Sequence, residues 1–335
     1  MKDLLDKVKA WAASVPGAVK SNKVTFIVAG VVVVLAFVVG CGIGGSGKSA
    51  EVAAAPQLSP EEQAKADAKA AEEAEAAAEE AAIKEALKTV TLEAGIYSIV
   101  DGSKKAEPSN EYQPTDSKMF KYRVLEDGSG LWAEYIGDGA VVYFPKAYEG
   151  LTVYEVSIGN TKNRSNRKDP LQIKMPNTVK VIHYMNVNVK AIDSIEIPSS
   201  VVSIDDKAFA GLEIKDIALP TTTKLGDSLF ENCKFTKINW VFPVIPYGTF
   251  SGNKKLVTVT CTDNLKMIEA YAFINCVELT AINGLPSTVI FEGDKDQDDC
   301  QFKNVKKLSL ATEAQIKAIH VGNKNKHYDE KFPWH

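Results

Sequence analysis

Gly42 to Ser49 read GIGGSGKS, the spacing of a phosphate-binding loop, with Lys48 and Ser49 where phosphate and magnesium contacts would sit. That chemistry needs a short strand before the loop and a helix directly after it. Here the preceding apolar run is about three times the length of a strand, and AEVAAAP, ending in Pro56, follows. The segment therefore reads as a glycine-serine tether. Asp294, Asp296 and Asp298 alternate as calcium ligands would, but Asp299 stands where such a loop needs glycine and Val305 where it needs a distal glutamate. A solvated acidic loop is the reading there.

The five cysteines, Cys41, Cys233, Cys261, Cys276 and Cys300, form no C-x-x-C pair and are too sparse for a disulfide scaffold. His183, His320, His327 and His335 lack the i, i+4 spacing of helical metal ligands. No metal, cofactor or catalytic dyad is expected, and so no enzyme. One cysteine carries a different chemistry: Val38-Val39-Gly40-Cys41 resembles a relaxed lipoprotein signal, in which a lipidated Cys41 becomes the mature N-terminus.

Val24 to Gly40 is uncharged and almost continuously apolar, and with the residues to Gly45 it approaches the ~20 needed to span a bilayer core. Lys20 and Lys23, with Lys2, Lys7 and Lys9 upstream, place residues 1–23 on the cytoplasmic side and 46–335 outside it. The anchor at 24–45 is either a lipoprotein signal or an uncleaved transmembrane helix. The flexible tether at 46–58 favours the first. The long N-terminal region favours the second, with Leu4, Leu5, Val8, Trp11 and Val15 near one helical face. Ser59 to Lys88 is rich in alanine, glutamate and lysine, with Ser59 and Glu62 as a capping box and Pro60 at the first helical position. Without a leucine heptad it is expected to be a helical stalk, or a weak self-association helix. Residues 90–121 read as a variable segment of short strands and loops.

From about Tyr122 a period near 22 residues emerges. Short β-type runs end in proline (Pro176, Pro198, Pro220, Pro243), and a phenylalanine follows (Phe209, Phe230, Phe250, Phe273). Ile195-Glu196-Ile197 shows the alternation that turns one face inward, and Ile204 and Phe209 cover the core from the other side. No unit can bury its apolar face alone, so neighbours must stack. The pattern Ile197, Pro198, Val201, Ile204, Ala208, Phe209 recurs as Leu265, Ile268, Ala272, Phe273, with Asn232-Cys233 and Asn275-Cys276 endings. It resembles the BspA-type leucine-rich repeats of bacterial surface proteins, over about 122–310. The likeness implies a leucine-rich-repeat solenoid, mainly β with short helical turns, and an adhesin-like or surface-recognition role. Phe250 lies too close to Pro243, and the unit around Val187 lacks its phenylalanine. Lys307 to Leu310 reads as a last strand. In the C-terminal cap and tail, 311–335, Thr312 and Gln315 would cap a short helix.

A net charge of −4 and a single short basic loop argue against nucleic acid. That loop, Gly159 to Pro170, carries Lys162, Arg164, Arg167 and Lys168 and lengthens one repeat, as insertions on binding faces do. By register the outward strand row is Lys174, Glu196, Ala218, Val241, Thr260 and Ser309. The basic loop with Lys174, Glu196, Val241 and Thr260 is the candidate contact surface. Trp240 is expected in the core, and Cys233 and Cys276 as buried thiols. The expected partner is a protein, either host matrix or envelope. The rival role is a structural subunit of an envelope assembly, docked through the stalk and the repeats.

Overall fold

Each repeat unit forms a three-sided turn, because its inward residues fall on two short strands and one tight turn. The unit around Pro198 illustrates this. Ile195 points inward from Ile192–Glu196 and Ile197 from just past its end, Ile204 from Ser203–Ile204, and Ala208, Phe209 and Leu212 from the turn. All are buried. Proline has no N–H to continue the ladder, and its carbonyl instead accepts from the residue three on: Val179 N to Pro176 O, 3.0 Å, and Val201 N to Pro198 O, 3.1 Å. Thr262 takes the same part for Leu265 N. The result is a mainly β solenoid of about six turns. The computed structural model describes residues 59–159, 171–185, 192–292 and 301–322.

Two parallel ladders run along the stack. In the first, Val141–Tyr143, Leu171–Lys174 and Ile192–Glu196 pair in one sheet, and Lys237–Trp240, Thr258–Cys261 and Ala281–Asn283 in another. In the second, Leu131–Tyr135, Leu151–Ile158, Val181–Met185, Ser203–Ile204 and Lys224–Leu225 continue side by side. Phe120–Val124 closes that sheet antiparallel at its start. A separate ladder joins Val244–Ile245, Met267–Ile268 and Ile290–Phe291. On the turn side the rings of Phe209, Phe230, Phe250, Phe273 and Phe302 stack continuously, with centroids 5.8, 6.0, 5.7 and 5.6 Å apart. Each stacked pair adds roughly 0.5–1.5 kcal/mol beyond the area it buries.

Both ladders break at the short unit, the first between Ala218–Pro220 and Lys237–Trp240 and the second between Lys224–Leu225 and Val244–Ile245, and a distant segment fills the gap in the first. Ile96–Ser98 pairs antiparallel with Ala218–Pro220 on one edge and with Lys104–Lys105 on the other. Ile99 then stands between the two repeats: its N–H donates to Ile217 O at 3.0 Å and its carbonyl accepts from Asn239 N at 2.8 Å. The strand side is thereby opened by one strand, while Phe230 and Phe250 keep the turn side closed. Ile96, Ser98 and Ile99 are buried, and the Ser98 hydroxyl donates to Asp216 at 2.6 Å. On either side the same segment is tied to other repeats, Thr91 to Asn264, Glu107 to Ser199, Asn110 to Asn177, and Thr115 to Tyr143. It is a strap laid along the stack. Trp240 and Phe242 fill the interior of the short unit, and Trp240 lies edge-on to Phe250 at 5.4 Å.

Helix α1, Pro60–Leu87, begins with the expected reciprocal cap: Ser59 N donates to Glu62 at 2.8 Å and Glu62 N to the Ser59 hydroxyl at 3.3 Å. Helix α2, Leu310–Gly322, buries Ile316 and Ile319. Three expectations are corrected here. The last strand is absent, since helix α2 starts at Leu310. Its N-cap is Ser309, whose hydroxyl accepts from Thr312 N at 3.2 Å, while Gln315 reaches instead to Leu285 O at 2.9 Å. The repeat turns are tight turns rather than helices, because the residues two before and two after the rings of Phe209, Phe230, Phe250 and Phe273 are left-handed, as at Lys207 and Gly211. The anchor, the phosphate-loop match with Cys41, the unit around Val187 and the aspartate loop lie outside the described residues. Among the described residues no helix is long and apolar enough to cross a membrane.

Candidate functional site: outward faces of the two ladders

On the first ladder, Tyr143, Lys174 and Glu196 stand in register. Lys174 Nζ lies 3.0 Å from Glu196 Oε1, with the side chains 26% and 33% exposed, and 5.4 Å from the Tyr143 ring. The strap adds Tyr112, edge-on to Tyr143 at 5.3 Å, its hydroxyl donating to Phe144 O at 3.0 Å. Burial, then the Glu196 charge, raises the Tyr112 phenol well above the usual tyrosine range, so it stays a neutral donor. The two candidates are thus brought together, but largely spent on each other. Val241 is not on this row. It lies past the end of Lys237–Trp240 and is 8% exposed, because the short unit turns inward there. Asn239 is the register partner of Thr260, and its amide donates to the strap at Val100 O, 3.0 Å. Thr260 is half-buried between Asn239 and Asn283. Ser309 caps helix α2. Lys162, Arg164, Arg167 and Lys168 lie outside the described residues.

The second ladder carries a denser constellation. Val156 pairs with Ile182 and Ile158 with Met185, so Ser157 faces both His183 and Tyr184. This is a β-bulge, and bulges re-aim side chains. With Ile182 and Met185 buried, His183 and Tyr184 both turn out. His183 is gripped at both nitrogens, Nδ1 to Asp205 at 2.6 Å and Nε2 to Glu155 at 2.7 Å. Trp132 lies 4.4 Å from His183 and donates from Nε1 to the buried Ser157 hydroxyl at 2.8 Å. Arg123 sits 4.9 Å over the Trp132 ring, and Glu134 binds both Arg123, at 3.6 Å, and the Tyr184 hydroxyl, at 3.0 Å. Burial, then Glu134, raises the Tyr184 phenol.

Such a face offers aromatic and guanidinium groups whose rotamers are already fixed, so binding through them loses little conformational entropy. Strict alternation could not find it. The signal was the spacing of three between Ile182 and Met185, which an unbulged strand cannot bury on one side. Among the described residues no group of histidine, cysteine and carboxylates is arranged to hold a metal ion. Cys233, Cys261 and Cys276 are buried, and burial pushes each thiol up to about 12, which removes the thiolate that reactive cysteines need.

No curated protein sequence matches the chain. Three solved structures resemble it. One is a leucine-rich repeat protein of T. pallidum, 21% identical, covering 62% of this chain and 96% of its own, with a TM-score of 0.45. Another, from Bacteroides ovatus, is 22% identical over 58% of each chain, with a TM-score of 0.36. A leucine-rich cell surface protein from Faecalibacterium prausnitzii is 12% identical, covering 63% of this chain and 98% of its own, with a TM-score of 0.19. Residues 183–309 match the family described as BspA-type leucine-rich repeat region, in six copies. With ladders, prolines and ring stack in the places that pattern requires, residues 183–309 of this chain are a BspA-type leucine-rich repeat region.

Proposed function

We propose that the chain is a membrane-anchored, extracytoplasmic recognition protein that binds a protein partner, adhesin-like, and performs no chemistry of its own. The repeat family supports a binding scaffold at a bacterial surface. The observation that carries the choice of site is the bulge at His183-Tyr184, which sets Arg123, Trp132 and Tyr184 on one rigid outward face. The apolar run at 24–45 supports the anchor, and lysines on its N-terminal side support the orientation.

A photo-crosslinking residue at position 184 of the full-length chain, in its native envelope, is expected to trap a protein. Arg123→Ala with Tyr184→Ala should then weaken binding of that partner about tenfold or more, with the melting temperature little changed, because both side chains are exposed. Unchanged affinity would reject this face as the contact. The rival role, a subunit of an envelope assembly, is favoured by helix α1, whose described side chains stay almost wholly exposed over 28 residues and so remain available for docking. The intact mass of the protein from its native membrane separates the two. Loss of the first 40 residues with acyl chains on Cys41 supports the surface protein; an unmodified chain from Met1 supports the assembly subunit.

A further inference from the structure

The turn edge of the stack has a regularity that protein binding on the ladders does not use. Two residues after each ring the backbone is left-handed: Gly211, Asn232, Gly252, Asn275 and Asn304, with φ of 74°, 57°, 68°, 61° and 64°. Glycine and asparagine tolerate that region best. The N–H groups of this row are spent on the next turn, Asn232 N to Ser251 O and Gly252 N to Ile274 O at 2.7 Å, Asn275 N to Lys303 O at 2.9 Å. The side chains bond locally instead, Asn232 donating to the Glu231 carboxylate at 3.3 Å. Asn304 donates to Asn275 at 2.7 Å, and Gly252 leaves a gap in the amide row into which Asn232 Oδ1 leans. Around that gap lies a hollow of about 590 Å³ bounded by Asn232, Gly252, Asn275, Asn304, Lys254 and Lys306.

The two lysines hold the same place in their units, four residues after Phe250 and Phe302, with Val277 in the unit between. Two inter-strand spacings set their backbones about 10 Å apart. Three other lysines of this edge are paired: Lys207 with Glu231 at 3.2 Å, Lys234 with Glu213 at 2.6 Å, and Lys307 with Glu278 at 2.5 Å. Lys254 and Lys306 have no carboxylate partner among the described residues, and both are exposed. The hollow therefore joins two unneutralised ammonium groups to carboxamides that both donate and accept.

We propose that this hollow binds an acidic oligosaccharide, its anionic groups on Lys254 and Lys306 and its hydroxyls on the asparagine row. An acidic peptide fits less well. An extended peptide gains affinity by pairing its backbone with free N–H and C=O groups, and the N–H groups of this row from Gly211 to Asn275 are already bonded to the next turn. A sugar ring needs side-chain amides and a small apolar surface, which Asn275 and Val277 supply.

The test uses the full-length protein in detergent micelles and calorimetric titration with four probes: a heparin-derived octasaccharide, an octagalacturonate, a neutral maltooctaose and an octaglutamate. The expected result is binding of one or both acidic sugars, weakened by salt, with neither the neutral sugar nor the peptide comparable. Sulfate-only or carboxylate-only binding would each support the proposal and name the anion. Lys254→Gln with Lys306→Gln should weaken binding about tenfold or more, as expected when two charge-assisted contacts are lost. Lys121→Gln with Lys180→Gln, the same loss of charge on the second ladder, should leave it unchanged. The proposal is overturned if neither acidic sugar binds, if binding survives the first pair, if both pairs reduce it equally, or if octaglutamate binds as well.

Discussion

At the residue scale, the unit endings explain themselves through one hydrogen bond. Three residues after each ring the side chain points inward, and there Cys233 donates to Phe209 O at 3.2 Å, Asn253 to Phe230 O at 2.7 Å, and Cys276 to Phe250 O at 3.1 Å. Each closes the carbonyl of the ring in the preceding unit, so a buried acceptor is not left open. The acidic corner of the turn edge behaves differently. Burial raises the Glu269 carboxyl above the usual carboxylate range, and Glu292 and Asp227 add to that, against a lowering donation from Tyr247 N at 2.8 Å. The folded protein thus holds this proton more tightly than the unfolded chain does. Its carboxylate costs stability at neutral pH, and the cost is relieved as pH falls through the raised folded value. Glu269→Gln keeps an acceptor for Tyr247 N without the charge. It should be more stable than the native protein at neutral pH, with the difference shrinking in acid, as measured by denaturant unfolding. A variant less stable at neutral pH would contradict this account.

At the element scale, the strap is a part of the core. Ile99 is fully buried and bonded on both sides, to Ile217 and to Asn239. Gly102, with φ of 73°, lets the chain turn back beside Asn239, where a Cβ would sit 3.3 Å from that side chain. Ile99→Ala should therefore cost about 2–5 kcal/mol, the range for emptying a well-packed aliphatic site. Hydrogen exchange should show the loss first at the amides of residues 99 and 239, which donate the two bonds on either side of the gap. A cost under roughly 1 kcal/mol, the order of an ordinary surface change, would mean the strap only lies on the stack.

For the molecule as a whole, a repeat stack coupled only between neighbours unfolds piecemeal when one interface is weak. The break in both ladders is such an interface, crossed on the turn side by the ring stack with the backbone bonds Ser228 N to Tyr247 O, Phe230 N to Thr249 O and Asn232 N to Ser251 O, and on the other side by the strap. The strap also ties together units that do not touch, from Tyr143 to Asn264. Ile99→Asp, which places a charge in that gap, is expected to split the calorimetric unfolding of the chain into two transitions divided near residues 220–237. A single transition, merely shifted down, would show that the turn side, with its ring stack and backbone bonds, couples the halves without the strap.

The amino-acid sequence by itself determined the repeat, its period, its inward residues and the thiols buried at its endings. All of these follow from apolar residues recurring within some 22 positions, a local pattern that no other part of the chain can alter. Trp240 was legible as core for the same reason, and Lys174 and Glu196 as outward neighbours. Tertiary structure decided what lies on those outward faces. Thr91 meets Asn264 across 173 residues, and Asn239 gives its amide to a strap 139 residues away. Nothing in either local sequence encodes the other. The bulge that turns out His183 with Tyr184, and the hollow between Lys254 and Lys306, exist only once neighbouring units are in register. Local burial fixes which residues face in, while contact between distant segments fixes which outward residues remain free to bind.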